Sequence, residues 1–518
     1  MRARTERRNL PGGQWAKSVL AAVVLATACV AAARPIDDAA KEVRERVQAY
    51  ERGSGAKVGL SIVDARTGRP VLGMRRNELM IPASNQKLLT SAFALSKLGT
   101  GFRFTTAVYL VGEDLVILGD GDPTLGDPRL ARKNGRSVYA ELDGWVKKVR
   151  ARLGSGATVD NVLLVRRRKR QPLRHPDWSE YRSQDDYVAP VCELNFYNNC
   201  LDVTFQVGGG RVYPKVKPAS RLITIVDRLR KGRRHIWSLS MNGDDSKITL
   251  RGRVTQTTSE PYSVAVNRPG LLLGRVFADR LERAGVRVTG DVRVVAKPPR
   301  QPTAGNLVAY TRTRLEKAMY RANKRSLNMA AESLFLRAGD FTWLGSAEEM
   351  QGTLQQSFRL SSRSLKVRDG SGLSKDNRVT PAALTQLLTG VLEYRDATVL
   401  LDSLPVSGMD GSLRRRMNTG TCRGRVLGKT GTLARVSTLS GYILDSSNRP
   451  VLAYAVLVND IPSGQVWKAR QLQDAICTEL VEAVGAGHGR AVEADAGVQR
   501  HESEGIEATE QAPRPPAV

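Results

Sequence analysis

Ser84 and Lys87 stand three residues apart at the head of a nearly continuous apolar run, Leu88 to Leu98, and that spacing suits nucleophilic catalysis. A serine hydroxyl is a weak nucleophile until a base takes its proton. On a helix, a lysine three residues on lies one turn away on the same face, within reach of the serine oxygen. To accept a proton the lysine must be neutral, and burial with a second cation nearby lowers its pKa. Ser54-Gly55-Ala56-Lys57 repeats the spacing, but it falls in a glycine-containing turn before a strand pattern. No helix would hold that second pair together.

Two further clusters could complete such a site. Ser326-Leu327-Asn328 falls inside a helical pattern running from Arg314 to Leu336, which predicts a rigid mount for both polar side chains. That setting favours it over Ser240-Met241-Asn242 and Ser446-Ser447-Asn448. Lys429-Thr430-Gly431 is the only Lys-Thr-Gly triplet in the chain. It opens onto a strand pattern, where Gly431 would let another backbone approach and Thr432 follows. Each cluster alone has a bland reading: a capping serine, a surface turn, a glycine at a strand edge. Their order and settings together specify a serine acyl-transfer site.

The positioning elements follow from periodicity. Ala39–Tyr50 reads as a helix, Lys57–Asp64 as a strand, and Leu88–Leu98 as a buried helix stopped by Gly99. From about Phe102 to Val295 short strand-like runs dominate, broken by basic segments such as Arg166-Arg167-Arg168-Lys169-Arg170 and by one helix pattern, Leu271–Ala284. Helical pattern resumes over 314–336, 346–358 and 381–392; strands return over 436–444 and 451–459, before a final helix over 465–484. An antiparallel sheet made from both chain ends and backed by helices accounts for this order.

The formal charge is +29, from 80 basic and 51 acidic residues. Aromatics are 5%, too few to interleave with the basic runs as base recognition requires, and the N-terminus argues for export. Arg2, Arg4, Arg7, Arg8 and Lys17 precede an apolar run, Val19–Ala33, closed by Ala31-Ala32-Ala33, the pattern of a secretory signal. Losing residues 1–33 removes five basic and one acidic residue, taking +29 to +25. Such a charge suits peripheral contact with an anionic wall or membrane as well as a simply solvated surface. No nucleic-acid partner and no transmembrane anchor after signal removal are expected. Cys192, Cys200, Cys422 and Cys477 remain, an even number that permits disulfides without fixing them. No His/Cys cluster has metal-ligand spacing, so neither metal nor cofactor is expected.

The order Ser84-x-x-Lys87, Ser326-x-Asn328, Lys429-Thr430-Gly431 resembles that of penicillin-binding proteins and class A β-lactamases. The 242 residues from Ser84 to Ser326 separate those relatives, because β-lactamases and the smaller D,D-carboxypeptidases place their second motif far closer. The chain is similar to class C low-molecular-mass penicillin-binding proteins, the D-alanyl-D-alanine carboxypeptidase/endopeptidase family of the DacB type (peptidase family S13). Gly119-Asp120-Gly121-Asp122-Pro123-Thr124-Leu125, Asn323 to Asn328, Asp369-Gly370-Ser371-Gly372-Leu373-Ser374 and Gly428 to Leu433 carry the same likeness, which spans most of residues 40–482.

That resemblance implies an α+β penicillin-recognising serine-peptidase fold. An antiparallel sheet flanked by helices, with an all-helical subdomain, would be interrupted by two mainly β inserted domains. The implied division is a split catalytic domain at 34–102 and 306–484, one insert at 103–125 and 195–305, and a second at 126–194; outside the likeness, residue pattern and composition give a signal at 1–33 and a disordered acidic tail at 485–518. It implies cleavage of peptidoglycan stem peptides, and covalent inhibition by β-lactams. Ser84 would be the nucleophile, Lys87 the base, Ser326 the proton relay and Asn328 the orienter of the substrate amide. Lys429 would be catalytic, supplying positive charge near Ser326 and the substrate carboxylate. Thr430 and Thr432 would bind that carboxylate, Gly431 would let the substrate backbone approach, and the backbone N–H groups of Ser84 and Thr432 would form the oxyanion hole. Lys375 stands where the family often has Arg, and one of Asp177, Glu180, Asp185 or Asp186 would join it in the side-chain pocket. Two other readings stay open: a non-catalytic wall-binding protein on this fold, and a β-lactamase or esterase using the same serine.

Overall fold

The computed structural model describes residues 36–154, 156–167 and 171–487. The expected signal, the last three residues of the basic run and the expected tail beyond Gly487 lie outside the described residues.

Both ends of the described chain meet in one five-stranded antiparallel sheet, ordered Val426–Leu433, Val436–Leu444, Pro450–Asn459, Lys57–Asp64, Pro70–Met74. Side chains alternate across its strands. Tyr454, Val456 and Val458 join Val58 and Leu60 under the helices Ile36–Ser54 and Val466–Gly487, where Val43, Val47, Ile476 and Leu480 meet them. Ala453, Ala455 and Leu457 point the other way, into a helical block with Leu88, Leu384 and Leu388. A strand covered on both faces reads as a nearly continuous apolar run, as Pro450–Asn459 does up to its last residue.

The helix Gln86–Leu98 runs through the middle of that block, against Asn328–Ala338 and Trp343–Phe358. Every residue from Gln86 to Leu95 is buried, so the helix is enclosed all round. Gly99, at φ +70°, ends it with an N–H bond to the Leu95 carbonyl. The rejected copy of the motif behaves as its setting implied. Ser54 ends the first helix, and Lys57 begins a strand and pairs with Asp460 at the surface.

The expected helix over 314–336 is two helices, Leu315–Lys324 and Asn328–Ala338. Ser326 therefore sits in the break between them, not on a helical mount, with φ +56° in the left-handed region. Helical backbone there would turn the hydroxyl with the helix surface; the break lets it leave that surface. Such a conformation is costly for a residue other than glycine and persists where its surroundings hold it.

The inserted body is built on a mixed sheet ordered Val292–Val295, Val162–Val165, Asp114–Gly119, Arg103–Val111, Leu307–Arg314. Its first three strands are parallel and the rest antiparallel. Val162–Val165, from the segment 126–194, thus lies between two strands of the segments 103–125 and 195–305, and Leu307–Arg314 extends the sheet past residue 306. Pairing between distant strands leaves no trace in local periodicity. The helices Ala140–Leu153 and Pro269–Arg283 pack on this sheet, with the Trp145 and Phe277 rings edge to face at 5.7 Å. The first of these went unread: its stripe Leu142, Trp145, Val146, Val149 has helical spacing but is diluted by four basic residues. Three small sheets complete the body: one ordered Tyr262–Ala265, Cys200–Gly208, Arg211–Lys217, another ordered Ile236–Met241, Lys247–Val254, Thr224–Lys231, and the two-stranded pair Thr158–Val159 with Arg287–Val288.

A buried ion pair at 2.5 Å, Arg321 to Asp127, ties the insert to the helix ahead of Ser326. Asp127 also caps a short helix through the Arg129 and Leu130 N–H groups. All four described cysteines are buried free thiols. Among the described residues no helix is long and apolar enough to cross a membrane.

Candidate active site

The chain enters the site through the turn Ala83–Asn85, whose first residue has φ +45°. Three contacts brace it. Asn85 donates to the Lys429 carbonyl at 2.5 Å and lies 3.1 Å from the Ser440 hydroxyl. Thr438 donates to the Pro82 carbonyl at 2.9 Å. Gly372, at φ +81°, abuts the Ala83 carbonyl so closely that a Cβ there would stand 1.8 Å from the oxygen. The Gly-Ser-Gly segment is thus a backstop for the nucleophile turn. A Cβ on Gly431 would come within 2.8 Å of the Ser84 nitrogen, so the strand edge at Gly431 lies directly against the serine backbone.

Lys87 Nζ donates to Ser84 Oγ at 2.9 Å, to Asn328 Oδ1 at 2.7 Å and to the Ser371 carbonyl at 2.8 Å. Complete burial lowers its pKa to about 7, against the opposing pull of the Glu332 and Asp369 carboxylates. Glu332 is itself buried and pushed up to about 8 by that burial, with the negative charge of Asp369 adding to the rise. Its two oxygens accept from the Gly370 and Ser371 N–H groups at 2.8 and 2.7 Å. Asp369 takes the Trp178 indole at 2.9 Å and the Gly372 and Ser374 N–H groups at 2.8 and 2.6 Å.

Opposite Lys87, Lys429 Nζ donates to Ser326 Oγ at 2.9 Å and to the Thr430 carbonyl at 2.7 Å. Burial holds its pKa well below the ordinary lysine range, and the cation of Lys87 pushes the same way. Asn328 spans the site, accepting from Lys87 and donating to the Tyr187 carbonyl at 2.8 Å. Thr430 is 2.7 Å from the Ser412 hydroxyl, and the exposed Thr432 receives a 3.2 Å hydrogen bond from Arg470 of the terminal helix. Ser84, Lys87, Ser326, Asn328, Lys429, Thr430, Gly431 and Thr432 are therefore brought together.

Lys375 lies off to one side, half exposed, paired with Glu180 and over the Tyr181 ring at 5.9 Å. Glu180 is the acidic neighbour that sequence left unassigned. Asp177 is engaged by Arg368 and Ser374, and the hydrogen bond from Arg368 holds its pKa down to about 2. Asp185 takes the Tyr187 hydroxyl, and Asp186 is raised by burial.

Sequence reasoning missed Glu332, Asn85, Ser412 and Arg470. Glu332 had a signal: one carboxylate inside the apolar run Met329-Ala330-Ala331-Glu332-Ser333-Leu334. Asn85 lies inside the Ser84–Lys87 motif, at a position whose residue type the spacing leaves open, while Ser412 and Arg470 reach the site from distant segments and had no signal.

A family model described as D-Ala-D-Ala carboxypeptidase 3 (S13) matches residues 39–479. The chain belongs to this S13 family. A D-alanyl-D-alanine carboxypeptidase from Actinomadura sp. (strain R39) is 29% identical over 485 residues, covering 86% of this chain and 85% of its own. The D-alanyl-D-alanine carboxypeptidase DacB of Haemophilus influenzae is 24% identical, covering 80% and 87%. Penicillin binding protein 4 (dacB) from Haemophilus influenzae superposes with a TM-score of 0.69 at 19% identity, over 84% of this chain and 99% of that one. That likeness shows the fold expected from the motifs, an α+β penicillin-recognising serine-peptidase fold. In this S13 chain the family match begins within the first helix and ends within the last, so the sheet and all three motifs fall inside it.

Proposed function

We propose that this S13 enzyme is a serine-type D-Ala-D-Ala carboxypeptidase acting on peptidoglycan stem peptides through an acyl-enzyme on Ser84. The observation that carries the proposal is the 2.9 Å contact from Lys87 Nζ to Ser84 Oγ, made by an amine whose pKa burial has brought to about 7. A base is most effective when its pKa lies near the working pH.

Lys87 takes the Ser84 proton as Oγ attacks the carbonyl of the penultimate D-Ala. The oxyanion is received by the backbone N–H groups of Ser84 and Thr432, each donor worth roughly 3–4 kcal/mol in the transition state. Ser326, held by Lys429, passes a proton to the departing D-Ala amine. Lys429, Thr430 and Thr432 bind the free carboxylate, Gly431 leaves room for the substrate backbone, and Asn328 orients the amide. Water then hydrolyses the ester. The stem-peptide side chain extends toward Lys375, Glu180 and Tyr181. A β-lactam presents its ring amide to the same serine, and cross-linked peptides are a second substrate class, giving D,D-endopeptidase activity. Residues 1–33 serve as the export signal that delivers the enzyme to the periplasm or cell envelope. The chain divides into the split catalytic domain and the inserted body around residues 103–314.

A non-catalytic wall-binding role leaves the two depressed lysines and their serine contacts without a purpose. A β-lactamase needs a carboxylate free to activate the deacylating water, whereas Glu332 spends both oxygens on the Gly370 and Ser371 N–H groups.

Labelled penicillin followed by peptide mapping tests the proposal. A stable adduct on the peptide containing Ser84, lost in Ser84→Ala, is the expected result. No adduct, or one that survives the substitution, overturns it.

A further inference from the structure

The small sheet ordered Ile236–Met241, Lys247–Val254, Thr224–Lys231 has two unlike faces. Ile248, Leu250, Val254 and Leu239 point inward and are buried, with Leu229, Trp237 and Met241 packed beside them. The register sets the outer face. Arg228 pairs with Arg251 and Arg230 with Arg253 in the parallel ladder, and Thr224 pairs with Lys247. Ser238 and Ile236 complete those rows from the third strand. All four arginines and Lys247 are exposed, and none of the outward positions carries a carboxylate. Asp227 belongs to the opposite set of positions and accepts from the Leu229 N–H group. Among the described residues none of these five cations makes an ion pair or a side-chain hydrogen bond.

Neighbouring strands lie about 5 Å apart, and alternate residues of one strand about 7 Å apart. The four arginines thus stand on a grid whose sides are shorter than a Debye length of about 8 Å, so neighbouring positions repel with incomplete screening. The turn after the edge strand, Gly232-Arg233-Arg234, adds two exposed cations at one end. A fold gains nothing from stacking like charges across a ladder. Charge complementarity therefore assigns this face a polyanion.

We propose that the outer face of this sheet is a docking surface for a linear, hydrophilic phosphodiester polymer, separate from the catalytic serine. Guanidinium forks match phosphate oxygens in paired hydrogen bonds. Ser238, Ser240, Thr224 and Thr249 line the same face and offer hydroxyls to a polyol backbone. A nucleic acid strand would need aromatic stacking platforms. Here Trp237 is turned inward, against Phe205 at 4.9 Å and Tyr262 at 5.2 Å. A membrane-binding face would need several apolar side chains to bury. Ile236, 64% exposed, is the one large apolar residue that this face exposes.

The test is binding of the full chain to short poly(glycerol phosphate) across a salt series, beside single-stranded DNA of equal charge and vesicles of phosphatidylglycerol. Replacing Arg228, Arg230, Arg251 and Arg253 with Thr is expected to weaken polymer binding at least about tenfold and to reduce the salt slope by about 3, at roughly 0.7 per lost phosphate contact. Cleavage of a small soluble D-Ala-D-Ala peptide and the thermal midpoint should not fall. A control with Arg44, Arg52, Arg66 and Arg69 replaced by Ala loses the same charge and is expected to bind as the unaltered chain does. Equal losses in both variants, or tighter binding of the DNA or the vesicles than of the polymer, would overturn the proposal.

Discussion

Lowering the pH from 8 to 5 is expected to slow acylation of Ser84 about 100-fold. The sign follows from which form of Lys87 works. Only the neutral amine accepts a proton, so the rate climbs as pH rises through the lysine pKa and then levels. With that pKa near 7, the neutral share is about nine-tenths at pH 8, half at pH 7 and one per cent at pH 5. An amine at the ordinary value of about 10.4 would be neutral about once in 2,500 at pH 7. Burial therefore enriches the working base about a thousandfold, equivalent to about 4 kcal/mol at 1.36 kcal/mol per unit. Glu332 and Asp369 oppose this enrichment, so burial has to outweigh two carboxylates. The assay is the second-order rate of labelled-penicillin acylation from pH 5 to pH 10.5, with tryptophan emission checking that the fold persists. A flat profile between pH 5 and pH 8, or a rate still rising a decade per unit above pH 9, would refute Lys87 as the base.

Lys429→Ala should cut acylation about 100-fold or more, the scale of losing one group that acts on transition-state charge, with circular dichroism unchanged. Gly372→Ala places a Cβ 1.8 Å from the Ala83 carbonyl at a φ of +81°; a loss of about 3 kcal/mol or more in denaturant unfolding is expected, with acylation falling alongside. Arg321→Met leaves Asp127 buried without its partner and should cost about 3–5 kcal/mol, measured the same way. Lys375→Ala should leave thermal stability nearly unchanged, because its pair with Glu180 is half exposed and such pairs are worth about 1 kcal/mol at most. Its KM for stem peptides with a charged side chain should rise while KM for an uncharged dipeptide ester holds.

The catalytic half of the molecule was legible because its elements are long and its chemistry is local. Ser84 and Lys87 share one helical turn, and the continuous apolar runs in Pro450–Asn459 and behind Lys87 declare their own burial. Ser326 was found by type but mounted wrongly. A helical pattern continues straight across 325–327, and nothing in side-chain periodicity reveals a single residue at φ +56°. The insert was the least legible part. Its main sheet gathers strands from three separated segments, and basic residues hid the apolar stripe of Ala140–Leu153. Glu180 could be narrowed to four carboxylates from sequence, and only packing selected it. Arg470 and Ser412 belong to segments with no motif at all, and reach the site only because the terminal helix and the turn at 411–413 lie against the strand 426–433.

The pairing of Lys57–Asp64 with Pro450–Asn459 has a bearing on when the enzyme becomes active. These partners are separated by most of the chain, so closing that ladder is among the most non-local events in folding, and non-local pairing is slow. The inserted body has a core of its own and can collapse first. Until the last strands arrive, Ser84 has no Lys429, no Gly431 edge and no Asn85 tether to that edge. The topology thus works as a timer: peptidase activity switches on only after nearly the entire polypeptide has been made and has folded back on its own beginning.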